Sequence, residues 1–295
     1  MEKFLPQSNF RQETQYNSLV FMDNGLILGF FDGVHLAHQE VILSAVNNSS
    51  NPILITLKNF NKSKDFILER KDSFNKMKSL GVKDIVELDF AQISGMCAED
   101  FLDFLKKEYN PISISTGFNY TFGKDRCGNT ETLRNNQEKY GYKYFCIPQM
   151  MRNGEVISST LIKEKLLNGD VSLANELLGS NFVLSGIVKR GAQIGRTIGF
   201  PTANIDYPEN VIKIPYGVYY VKVGKMRGIM NWGMKPTVHN TLLPIVETHI
   251  FDFTGDLYGQ CLRVEVLNRI RGEIKFKNLD ELKQQIKEDI KSCLK

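Results

Sequence analysis

GLILGFFDGVHLAHQEVILSAV, Gly25 to Val46, begins as an apolar, strand-forming run and turns at Gly29 into a pattern spaced for a helix. The predicted helix lies near HQEVILSAV, and the residues between, GFFDGVHLAHQ, occupy the point where a strand hands over to it. In a parallel sheet that edge is where ligands bind. Working outward, PILITL (52–57) reads as the next strand and SFNKMKSLG (73–81) as a helix closed by Gly81. DIVELDF (84–90) is then a strand, AEDFLDFLKKEY (98–109) an amphipathic helix and SISTGF (113–118) a strand. TETLRNNQEKYG (130–141) is a helix that leads into the strand KYFCIP (143–148). From Leu19 to about Pro148 this alternation predicts βαβ units around a parallel sheet, a Rossmann-like pattern without a G-x-G-x-x-G.

Two helical segments, Thr160–Leu167 and Val171–Leu178, end at Gly179 and read as a bridge. Beyond Phe182 the period changes. FVLSGIVKR, GVYYVKV, RGIMNWG, PIVETHIF and CLRVEVL are short alternating strands punctuated by Gly and Pro, which predicts an antiparallel barrel. The tail LDELKQQIKEDIKSCL has helical spacing and is expected on the outside of that barrel as a lid or plug. The fold class is therefore α/β plus β, with domains at 1–180 and 181–295. The length of 295 residues suits two domains.

Composition excludes several classes. With 42% hydrophobic and 24% charged residues the chain has the balance of a soluble globular protein. Its net charge of +4 is too small to argue for nucleic acid and does not repel nucleotides. The five cysteines are scattered and never form C-x-x-C, so neither a disulfide framework nor a zinc site is implied. The opening MEKFLPQSNFRQETQYN lacks an apolar signal core, and no apolar run spans a bilayer. A cytoplasmic protein with no membrane partner is expected; the sequence leaves assembly open, a transient oligomer included.

His35 and His38, three apart at the start of the first helix, can face the same way. Paired imidazoles beside a helix N-terminus suit a phosphoryl group in transfer; H-x-x-H also describes a metal pair or two surface histidines. TGFNYTFGKDRCGN (116–129) follows a strand and either holds a planar ring against Phe118, Tyr120 or Phe122 or is a strand end packed in the core. ISSTLIKEKLLNGD (157–170) starts a helix with Ser158, Ser159 and Thr160 and carries Lys163 in its first turn. That set grips a pyrophosphate or simply caps the helix. In GIVKRGAQIGRTIGFPTANI (186–205), Gly191, Gly195 and Gly199 let backbone N–H groups approach phosphates, and Thr202 and Asn204 offer oxygens to Mg²⁺ or phosphate. A Gly-rich barrel corner is the alternative.

Taken in this order, the segments resemble the bacterial bifunctional riboflavin kinase/FMN adenylyltransferase (FAD synthetase) family. GFFDGVHLAHQ resembles its G-x-F-D-G-V-H-x-G-H-Q, GFNYTFG its flavin-side loop and ISSTLIK its S-S-T-x-I-R; Ala37 and Lys163 stand where the family usually has Gly and Arg. TLKNFNKS (56–63) stands where the family tends to show P-H-P. GRTIGFPTAN resembles the kinase signature G-R-x-x-G-F-P-T-A-N, and NWGMKPTV, VETHIFDFTGDLYG and RGEIKF follow in the family's order.

The resemblance implies a nucleotidyltransferase domain followed by a riboflavin-kinase-type barrel. In the first, His35 and His38 stabilise the α-phosphate of ATP, and Gly29, Phe31, Asp32 and Gly33 form the nucleotide loop. Ser159, Thr160 and Lys163 take the pyrophosphate, and Asn119 and Phe122 lie toward the flavin. In the second, Gly191, Gly195 and Arg196 hold ATP, and Thr202 and Asn204 bind ATP and Mg²⁺. Glu247 is the general base, and Gly199, Phe200, Arg271 and Glu273 lie toward the flavin, with Phe276 in the segment that closes over it. Riboflavin, FMN, FAD and ATP are the implied partners. A riboflavin kinase with a degenerate first domain is one alternative reading; a non-catalytic flavin-binding regulator is another.

Overall fold

The structure, a computed structural model, describes residues 23–58, 65–191, 193–236 and 242–294. The opening segment, the Leu19–Met22 start of the first expected strand, residues 59–63 of TLKNFNKS and the end of NWGMKPTV at 237–238 lie outside them. The chain forms two compact units, one holding residues up to 62 and 73–151, the other 63–72 and 152–295.

In the first unit, strands β1 (Asn24–Leu28), β2 (Asn51–Lys58), β3 (Asp84–Asp89), β4 (Ser113–Gly117) and β5 (Lys143–Ile147) make one parallel sheet in the order β3-β2-β1-β4-β5. Helices α1 (Leu36–Asn48), α2 (Arg70–Ser79) and α3 (Ala98–Tyr109) connect them. TETLRNNQEKYG is broken into α4 (Thr130–Asn135) and α5 (Gln137–Tyr140). The sheet is covered on both sides. Leu26, Ile53, Ile55 and Ile114 pack with Phe101, Leu102 and Leu105 of α3, while Ile27 and Leu54 pack with Val41, Ile42 and Ala45 of α1 and Met77 of α2. Two-sided burial explains why PILITL reads as a continuous apolar run rather than an alternating one.

In the second unit, α6 (Ser159–Asn168) and α7 (Val171–Leu178) precede six antiparallel strands: β6 (Phe182–Ile187), β7 (Ala203–Asp206), β8 (Gly217–Val223), β9 (Met226–Pro236), β10 (Leu242–Ile250) and β11 (Cys261–Arg271). Their order is β6-β11-β8-β9-β10-β7. A bridge between Lys189, just past β6, and Asn204 on β7 brings the outermost strands together, so the barrel is nearly closed. Alternation is visible in β11, where Leu262, Val264 and Val266 are buried and Cys261 and Arg263 exposed. Trp232, fully buried, donates its indole N–H to the Ile214 carbonyl at 2.8 Å and packs against the tilted ring of Tyr207, centroids 4.2 Å apart.

Two features go beyond the sequence reading. Residues 65–72 join the barrel unit: Phe66 exchanges backbone hydrogen bonds with Asn210 (2.7 Å) and Ile212 (2.8 Å), Ile67 is fully buried, and Ser185 Oγ donates to Asp72 at 3.0 Å. The C-terminal helix α8 (Leu279–Cys293) is tied to the barrel by a buried carboxylate. Asp289 receives Arg271 Nε at 3.0 Å and Nη2 at 2.8 Å.

Candidate active sites

The first site follows from topology. The parallel sheet reverses its winding between β1 and β4, and the crevice beyond their carboxyl ends is the expected ligand position. β1 runs out into Gly29–His35 and β4 into Phe118–Tyr120. The turn after β1 is tightly wound. A Cβ on Gly29 would lie 2.9 Å from the Phe31 ring, Gly33 sits at φ +79°, and Phe31 and Val34 are held at φ +54° and +47°. A β-branched residue there is a steric outlier, strain of the kind that clusters at functional turns. Phe31, Asp32 and His35 are all buried.

His35 is the N-cap of α1: its Nδ1 accepts the backbone N–H of His38 at 3.3 Å, which leaves the proton of the neutral ring on Nε2. The His38 ring stacks on it with centroids 3.5 Å apart, and the Phe31 ring meets His38 edge-on at 5.1 Å. Burial, with the Lys76 ammonium of α2 adding to it, pushes His35 down to about 4. Burial and the charges of His35 and Lys76 hold His38 well below the usual histidine range. At neutral pH the pair is two uncharged N–H donors at a helix N-terminus, stacked without the repulsion two imidazolium ions would suffer. His38 Nδ1 is buried with no protein partner. Lys76 escaped the sequence reading because SFNKMKSLG looks like any basic surface helix.

The flavin-side loop divides. Phe122 is buried, packed on Phe101 and Tyr120, and a Cβ on Gly128 would strike its ring. Phe118 and Asn119 stand exposed in the turn closed by Tyr120 N–H to Gly117 O at 3.2 Å. On α6, Ser158 is the cap, accepting Leu161 N–H at 3.2 Å; Ser159, Thr160 and Lys163 follow in its first turns.

The second site is assembled by register. Asn204 of β7 lies directly opposite Glu247 of β10, which lies opposite Asn231 of β9. Directly opposed residues share a face with Cβ atoms about 5 Å apart. The Gly-rich loop passes over this row. A Cβ on Gly191 would collide with the Asn204 amide, and one on Gly195 with the Phe200 carbonyl, next to the Thr202 methyl. Lys189 N–H donates to Asn204 O at 2.8 Å and Phe200 N–H to Gly195 O at 2.7 Å, which fixes the loop. Asn204 is 5% exposed, and its Oδ1 is buried without a protein partner. Gly199, at φ +89°, leads to Phe200, whose ring lies edge-on to His249, and Arg196 is exposed in the loop.

Glu273 reaches the same neighbourhood, since a Cβ on Gly233 would collide with its carboxylate. Arg271 is held by Asp289, spends one Nη1 N–H on Gly272 O at 2.9 Å, and has its guanidinium 6.0 Å from the Phe276 ring. Asn231 was not singled out from the sequence; it becomes visible only once the register of three strands is known.

Family comparisons agree with this division. The model for FAD synthetase matches residues 22–161 and that for riboflavin kinase residues 178–295. The bifunctional riboflavin kinase/FMN adenylyltransferase of Bacillus subtilis is 33% identical over 290 residues, 92% of this chain and 91% of that one. The chain belongs to the bifunctional riboflavin kinase/FMN adenylyltransferase family. Other members are equally well covered: the Haemophilus influenzae protein is 33% identical over 91% of this chain and 92% of its own, and the Escherichia coli K12 protein 31% over 90% of each. A crystal structure described as a macrolide-efflux protein from Streptococcus pneumoniae superposes with TM-score 0.81 at 31% identity, covering 92% of this chain and 93% of that one. Among the described residues, no helix is long and apolar enough to cross a membrane.

Proposed function

We propose that this chain phosphorylates riboflavin to FMN at the barrel and joins AMP to FMN, giving FAD and pyrophosphate, at the crevice of the parallel sheet. The observation that carries the kinase half is the register of Asn204 with Glu247 beneath a loop that only glycine permits. The riboflavin 5′-hydroxyl is a poor nucleophile, so its proton must leave as the new O–P bond forms and the bond from the γ-phosphorus to its bridging oxygen breaks. Glu247 accepts that proton, ADP departs, and the loop around Gly191 and Gly195 turns its N–H groups to the phosphates. Thr202 and Asn204 fit a magnesium ion: they are hard oxygen donors, and the Asn204 oxygen is buried without a partner. Bound there with ATP, Mg²⁺ would supply neutralisation of phosphate charge.

In the second reaction the nucleophile is the FMN phosphate, already anionic, so no base is needed. An FMN phosphate oxygen attacks the α-phosphorus, and the bond to the pyrophosphate breaks. His35 and His38, as neutral donors at the α1 N-terminus, stabilise the charge on the α-phosphate. Asn119 lies toward the flavin, and the assignment of Ser159, Thr160 and Lys163 to the pyrophosphate rests on the motif. In catalytic terms residues 1–180 serve adenylylation and 181–295 phosphorylation, following the motif order. The enzyme works in the cytoplasm, on small molecules rather than nucleic acid.

Chromatography of flavins after incubation with riboflavin, ATP and Mg²⁺ tests the reading. Glu247→Gln should abolish FMN formation from riboflavin yet still convert supplied FMN to FAD, and His38→Ala should do the reverse. FMN that accumulates without FAD in the wild type would reduce the chain to a riboflavin kinase.

A further inference from the structure

The row Asn204, Glu247, Asn231 runs across three neighbouring strands, each residue directly opposite the next. Its direction is fixed by the residues on either side. Val246 and Thr248 flank Glu247, Met230 and Trp232 flank Asn231, and all four are buried, so alternation turns the row to the opposite face of the sheet. The two ends of the row differ. Asn204 is buried beneath the glycine loop, whereas Asn231 is exposed. Two residues beyond Asn231 on the same face, Gly233 leaves room for a second carboxylate: a Cβ there would collide with Glu273 and lie 3.9 Å from Asn231 Nδ2. Gly233 is also the diagonal neighbour of Glu247, about 7–8 Å from it. The Asn231 amide thus stands between the carboxylate of Glu247 and that of Glu273.

We infer that Asn231 determines specificity for the phosphoryl acceptor, its amide binding the secondary hydroxyls of the ribityl chain. This rests on the reading of the barrel as the kinase, with Glu247 as its base. With the nucleotide phosphates beneath the loop at the Asn204 end, the acceptor alcohol reaches Glu247 from the open end of the row, across Asn231. A ribityl chain extends about 7 Å from its ring nitrogen to its 5′-oxygen. That length matches the diagonal from Gly233 to Glu247. A chain with its terminal hydroxyl at Glu247 therefore has its ring toward Glu273 and its secondary hydroxyls over the amide. An amide suits a polyol, because its oxygen accepts and its nitrogen donates, and each hydroxyl can do either.

The test compares Asn231→Ala with wild type on two acceptors: riboflavin, and a hydroxypentyl flavin that keeps the terminal hydroxyl and lacks the secondary ones. Loss of folded enzyme, or a misplaced base, would fall on both acceptors alike. In the variant, kcat/KM for riboflavin should drop about three- to tenfold, the worth of a neutral hydrogen bond, while that for the hydroxypentyl flavin and KM for ATP stay within about twofold. If the analogue turns over too slowly, its inhibition constant against riboflavin gives the same comparison, and that constant should be equal in variant and wild type. Equal losses with both flavins would overturn the inference and leave Asn231 as a support for Glu247 or for the strand. No loss with either would overturn it as well. A wild-type protein that phosphorylates neither flavin yet adenylylates supplied FMN would instead overturn the kinase assignment on which the inference stands.

Discussion

A histidine that caps a helix does two jobs with two nitrogens. His35 gives Nδ1 to the backbone of His38 and keeps Nε2–H for the crevice, so replacing it by Asn, itself a good N-cap, should remove one job and keep the other. His35→Asn is expected to lower FMN adenylylation at least about a hundredfold, the scale of losing one transition-state donor. Riboflavin phosphorylation should be unchanged, and comparing the two rates on one preparation checks it. The same residue sets a pH dependence. Its native value of about 4 lies below the unfolded 6.5, so between these values the unfolded chain binds the extra proton. Stability unaffected by this residue above pH 6.5 is therefore lost progressively as pH falls toward 4, by roughly 3 kcal/mol at most. Urea melts at pH 7 and pH 4.5 should show a smaller difference in His35→Asn than in the wild type. At Gly191 the expectation is steric. Gly191→Ala drives a methyl into the Asn204 amide and should cut kinase turnover without touching adenylylation, which steady-state assays of each half will show.

At the scale of elements, the one fully buried residue of α8 is a carboxylate, Asp289, set among the half-buried Leu282, Ile286 and Ile290. Asp289 is 3% exposed and binds Arg271 through two nitrogens, with Gln285 adding a hydrogen bond at 3.0 Å. Removing the charge strands the guanidinium beside it. Asp289→Asn should cost about 3 kcal/mol in denaturant unfolding of the barrel. It should also raise KM for riboflavin more than KM for ATP, since Arg271 begins the segment running to Phe276. The sequence shows this helix but not its anchor, because an aspartate inside LDELKQQIKEDIKSCL looks like every other charge on a solvated face.

The same asymmetry runs through the fold. Parallel strands such as PILITL are legible because burial on both faces leaves no other reading, and the positive-φ glycines 81, 169 and 179 mark where helices or their flanking turns stop. Ala203–Asp206 is four residues long and follows Pro201 and a glycine loop. Local propensity is silent there, and only pairing with β10 makes it a strand. Phe66–Leu68 belongs to the barrel unit although its neighbours in sequence serve the parallel sheet, a long-range choice that no local period encodes. The site residues divide likewise. His35, His38, Thr202 and Asn204 are singled out by their motifs, whereas Lys76 and Asn231 come to the sites through helix packing and strand register.

For the whole molecule, two units with separate cores carry two reactions joined by one metabolite, since the FMN released by the first is the substrate of the second. If each site is complete within one chain, the two reactions need not take place in the same chain. An equimolar mixture of Glu247→Gln, which retains adenylylation, and His38→Ala, which retains phosphorylation, should make FAD from riboflavin although neither variant does so alone. FAD should appear after a lag while free FMN builds up, and the lag should shorten in proportion as the His38→Ala protein is raised, because that variant sets the FMN supply. Adding FMN at the start should abolish the lag. A mixture that accumulates FMN but forms no FAD, while Glu247→Gln alone adenylylates FMN supplied at the same concentration, would mean that FMN made at the barrel is not released to other chains, and the independence of the two sites would have to be given up.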